Sequence, residues 1–109
     1  MSDFTLYMIQ RLSALILAPL VLGHLALMIY AVQGGLSAEE ILARTRGSLA
    51  WGLFYGVFVV AVATHAAIGL RVIASEVLGV RGPVLNGFAL AAFAGLLATG
   101  VHAVVAVTA

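Results

Sequence analysis

The chain has 109 residues, one domain's worth, of which 64% are hydrophobic and only 8% charged. An ordinary soluble domain is about 25% charged, so this one cannot solvate a water-exposed surface and a soluble monomer is excluded. The absence of cysteine excludes disulfides, thiolate zinc sites, iron–sulfur ligation and the covalent attachment of c-type haem. A net charge of +1 gives a nucleic-acid partner no footing.

The first uncharged stretch covers 21 residues at 12–32, the second 23 at 48–70, and the third runs over 83–109. Each meets the ~20 residues needed to cross a ~30 Å hydrocarbon core. The expected fold is therefore an all-α integral membrane protein with three transmembrane helices, spanning about 8–32, 48–72 and 83–107. The whole of 1–109 reads as a single domain without repeat or linker. Asp3 ahead of Arg11, and the length of the first run, set it apart from a secretory signal peptide, so that span is expected to be retained.

Gln33-Gly34-Gly35 stops the first helix. Ser37 with Glu40 three residues on reads as a capping box, which predicts a short interfacial helix over 38–45. Gly82-Pro83 then opens the third span, where the missing N–H of proline costs nothing. With three spans, Arg11, Arg71 and Arg81 share one side against Arg44 and Arg46 on the other. The positive-inside rule places the N-terminus in the cytoplasm and the C-terminus outside, as in an inner (cytoplasmic) membrane.

Polar residues at membrane depth need partners inside a bundle. Here they include His24, His65 and His102, with no Asp, Glu or Lys among them. Imidazoles of this kind hold haem iron in b-type cytochromes. His24 lies 13 residues past Arg11 and His65 six before Arg71. If those arginines stand level, the two rings differ in height by ~10 Å, which is too much for one iron and asks for a second chain. Ala61, Val62 and Gly69 share the stripe of His65 and leave room for a flat macrocycle. Gly52 and Gly56 make a G-x-x-x-G on nearly the opposite face, suited to a neighbouring helix. Pro19 frees a carbonyl just before His24 and is a site for a kink. Trp51 and Tyr55 read as interfacial aromatics, and His102 as structural.

Three features resemble the cytochrome b membrane-anchor subunits of succinate dehydrogenase and fumarate reductase. His65-Ala66-Ala67-Ile68-Gly69-Leu70-Arg71 with Glu76 is similar to that family's H-x-x-x-G-x-R followed by an acid. Gln10-Arg11-Leu12-Ser13 resembles its His-Arg-x-Ser/Thr opening, with Gln10 in place of the histidine and Ala14 in place of the glycine after the serine. The interval from Arg11 to His24 is that of the helix I histidine in two-haem anchors. The tyrosine that the smaller anchor shows after its acid is Val77 here.

The resemblance implies a subunit of a succinate:quinone oxidoreductase that packs with a second membrane-anchor chain into a helix bundle. It implies that His65 is an axial ligand of haem b, that His24 ligates a second haem if the complex is of the two-haem type and its partner supplies the matching histidine, and that Arg71 meets a haem propionate. Arg11, with Ser13 and Tyr7, is expected at a quinone site where the iron–sulfur subunit docks. One or two haems would be shared with the partner, while FAD and the iron–sulfur clusters belong to the flavoprotein and iron–sulfur subunits. The chain itself carries no dinucleotide fingerprint and no dehydrogenase site. A haem-free structural anchor and a small dimeric transporter are the alternatives; three spans and the lack of a buried acid speak against the second. Succinate oxidation and fumarate reduction differ in potentials set in other chains.

Overall fold

A computed structural model describes residues 2–109 as four helices: α1 (Asp3–Gly34), α2 (Ala38–Thr45), α3 (Leu49–Leu78) and α4 (Gly82–Thr108). Three of them, α1, α3 and α4, are long and apolar enough to cross a membrane. This is an all-α integral membrane protein. Its longest dimension, 47 Å, is close to the ~48 Å of a 32-residue helix. α1 begins five residues before the expected span and α3 runs six beyond it, because both helices continue past the hydrocarbon into the polar border. α1 is unbroken through Pro19.

Serines start the first three helices. The amides of Thr5, Glu40 and Trp51 donate to the hydroxyls of Ser2, Ser37 and Ser48 at 3.1, 3.1 and 3.2 Å. Only half of the expected capping box forms, since the Glu40 carboxylate lies over Gly35, whose φ of 99° makes the turn out of α1. At the far end of α3, Gly79 takes a left-handed φ of 71° and ends the helix.

α3 is the central helix, with α1 on one side and α4 on the other. The α3–α4 approach is closest at Gly100, where an added Cβ would collide with the γ carbons of Val59. Gly100→Ala must therefore part the two helices, and a loss of about 1–3 kcal/mol is expected from overpacking. Thermal unfolding of the detergent-purified protein checks this; an unchanged midpoint would mean that Val59 yields freely. The G-x-x-x-G of α3 behaves otherwise than expected. Gly52 touches Thr108, but Gly56 meets no neighbour and floors an open apolar groove of about 590 Å³.

α2 is stitched to the end of α4. The fully buried Thr45 shares its one hydroxyl hydrogen between the Val107 carbonyl at 2.6 Å and the Ile41 carbonyl one turn back at 3.0 Å. Gly47 N–H donates to the Thr108 carbonyl at 2.8 Å. Terminal carbonyls of α4 that would otherwise lack partners are satisfied this way. Of α4 only Leu85 is buried, so most of that helix faces lipid or another chain.

Candidate haem and quinone sites

Ser13 and Leu17 are the buried residues of α1. Ser13 can be buried because its hydroxyl is fully used: it donates to the Gln10 carbonyl at 2.8 Å and lies 3.2 Å from His65 Nδ1. Gln10 in turn donates its side-chain amide to the His65 carbonyl at 3.2 Å. The ring of His65 is thus held between α1 and α3 by polar contacts in an otherwise apolar seam. The small stripe beside His65 is divided: Ala61 fronts the open groove, whereas the Gln10 amide nitrogen stands 3.6 Å from where a Gly69 Cβ would be. Gly69 serves the close approach of α1 rather than making room for a macrocycle.

His24 has a different setting. Its half-buried ring packs against Phe58 at 4.9 Å and edge-on to Tyr55 at 6.3 Å. It lines two apolar cavities, of about 310 and 290 Å³. Trp51 and Tyr55 stack at 5.7 Å and extend this aromatic cluster toward the membrane border, where sequence alone placed them as interfacial residues.

The α1–α3 register fixes the heights. Ser13 stands opposite His65 and Gly23 against Phe54. His24 is 11 residues beyond Ser13, hence ~16 Å from the level of His65. The expected ~10 Å was too small because Arg71 pairs in height with residue 7 and not with Arg11, an offset of ~6 Å. The two histidines sit at two separate levels of the bundle. Among the described residues no three His, Cys, Asp or Glu side chains converge. His24 and His65 thus stand apart from one another and from any third such side chain among the described residues. His102 is exposed on α4, apart from both.

At the border holding the N-terminus, Tyr7, Gln10 and Arg71 line one cavity of about 260 Å³ together with Asp3, Leu6, Ile68 and Val72. Arg11 Nη1 donates to the Tyr7 hydroxyl at 3.2 Å, and its guanidinium lies 5.8 Å from that ring. Arg71 donates to Asn86 Oδ1 at 3.2 Å, which ties α3 to α4. Of the three residues expected at a quinone, Tyr7 and Arg11 are brought together and Ser13 is not. Its hydroxyl is committed to Gln10 and His65. Sequence reasoning passed over Gln10 as a site residue, although its amide stands where the resembled motif has a histidine.

The site and fold define a three-helix membrane subunit with solitary imidazoles at depth and, at one border, a largely apolar cavity edged by Asp3, Tyr7, Gln10 and Arg71. The model of the family described as the succinate dehydrogenase/fumarate reductase transmembrane subunit matches residues 2–107. The chain belongs to this family, and is thus a transmembrane subunit of an oxidoreductase complex. No curated protein and no solved structure matches it significantly.

Proposed function

We propose that this chain is a cytochrome b anchor of a succinate:quinone oxidoreductase, binding haem b and quinone in the inner (cytoplasmic) membrane with its N-terminus in the cytoplasm. The observation that supports this best is the hydrogen-bond relay at His65. Because Ser13 gives its own hydrogen to the Gln10 carbonyl, its oxygen can only accept from the ring. Nδ1 then carries the proton, and Nε2 keeps the lone pair that a metal requires. An imidazole preset in this tautomer fits haem iron. When bound, the haem would supply a one-electron store, held by His65 from this chain and by a residue of a second anchor chain. His24 would hold a second haem at the other level, and the two groups would together supply one-electron carriers at two depths of the bilayer. Arg71, six residues from His65 and so ~9 Å nearer the border, meets a propionate.

The cavity of Tyr7, Gln10 and Arg71 receives the quinone head, beside the docking place of the iron–sulfur subunit. Arg11 donates to the phenolic oxygen of Tyr7, which leaves the phenolic hydrogen free to donate to a quinone carbonyl. A donor held there stabilises the negative charge that builds on the carbonyl during reduction. Electrons from succinate reach it through the FAD and iron–sulfur clusters of partner subunits, or run in reverse for fumarate.

Ser13→Ala tests the relay. It should leave the complex assembled and weaken haem retention by ~10–100-fold, the usual effect of losing the outer partner of a ligating histidine. The measurement is the rate of haem transfer from the purified complex to a haem-free acceptor protein, with Ser13→Thr expected to recover the wild-type rate. A rate unchanged in Ser13→Ala would show that the hydroxyl does not set the ring.

A further inference from the structure

Arg44 is left without a role by the sites above, and its surroundings are unusual for a cation at a membrane border. Its guanidinium stands 5.6 Å from the ring of Tyr30 and 5.6 Å from that of Trp51. Its Nε is buried without a hydrogen-bond partner. Glu40, one turn earlier on α2, does not neutralise it, since that carboxylate is turned onto Gly35. Two aromatic faces hold the charge in place, and among the described residues the two terminal nitrogens of the guanidinium have no hydrogen-bond partner and are the donors left for an anion. The same cavity of about 290 Å³ is lined by both Arg44 and His24. Tyr30 lies six residues past His24 and Trp51 stands level with about residue 27, which puts the Arg44 guanidinium ~4–9 Å nearer the border than the imidazole.

We infer that Arg44 is the carboxylate partner of a haem ligated at His24, holding one propionate at the border opposite the quinone cavity. The inference rests on the second-haem reading above. The cavity is too small for a whole macrocycle, so the rest is enclosed by the second anchor chain. The bound propionate would meet a guanidinium already oriented by Tyr30 and Trp51. The positive charge favours the reduced haem, whose net charge is one unit more negative than that of the oxidised form.

The test uses the intact, detergent-purified complex carrying His24→Leu, Arg44→Gln or Arg44→Lys. Haem is counted by pyridine haemochrome and each midpoint is read in an optical redox titration. His24→Leu should remove one haem. Arg44→Gln should lower the midpoint of that same haem, or release it, while leaving the His65-dependent haem as in the wild type. Arg44→Lys should restore much of the potential. If both haems keep their wild-type content and midpoints in Arg44→Gln, the assignment of Arg44 is overturned while the second haem stands. If His24→Leu loses no haem, the second-haem reading fails and the inference falls with it. Loss of bound phospholipid from Arg44→Gln with both haems unchanged would assign the guanidinium to a lipid phosphate and overturn the inference.

Discussion

His65→Leu is expected to abolish one haem b completely while leaving the transmembrane helices assembled. Leucine fills a similar volume between α1 and α3 but offers no lone pair. It also leaves the Ser13 hydroxyl bonded to the Gln10 carbonyl, so the seam loses one polar contact and gains no unpaired donor. Haem content per complex is the readout, with far-ultraviolet circular dichroism as the control for helix content. An unchanged content would remove His65 from the ligand set. Because His24 stands ~16 Å away in height, it cannot substitute on the same iron. Any residual haem in this variant should disappear when His24→Leu is added.

Arg11→Ala is expected to lower quinone reduction by up to about 10²–10³-fold, the range for losing a donor aimed at a developing oxyanion, here the Tyr7 hydroxyl that Arg11 holds. Arg11 does not line the cavity itself; it holds the Tyr7 hydroxyl from behind at 3.2 Å. Its loss leaves the phenol free to rotate and to turn its hydrogen elsewhere. Tyr7→Phe should therefore reproduce most of the effect, and adding Arg11→Ala to it should cost little more, since both act through one hydroxyl. Succinate oxidation by an artificial dye acceptor, which bypasses the membrane site, should remain at the wild-type rate. Equal loss with dye and with quinone would instead indicate that the soluble subunits had come away.

The three crossings and the turns between them were legible in the sequence because charge, glycine, proline and serine mark them directly. The seams between helices were not. α1, α3 and α4 are apolar all round, since lipid and protein interior ask for the same side chains, and no hydrophobic stripe says which face meets which. Thus Gly52 and Gly56 were read as the close-packing pair, whereas the tight contact uses Gly100 against Val59. His65 was found from its motif, but that Ser13 belongs to its ring rather than to the quinone depends on the α1–α3 register. The height of His24 was misjudged for the same reason. Arg44 carried no motif, and only folding places it over Tyr30 and Trp51 and on the cavity of His24.

The most direct test of the account is a reduced-minus-oxidised spectrum with pyridine haemochrome quantitation on the intact complex, normalised to this subunit. The expected result is b-type absorption, about two haems per pair of anchor chains, from the two levels marked by His65 and His24. A complex that reduces quinone at full rate and contains no haem would contradict it.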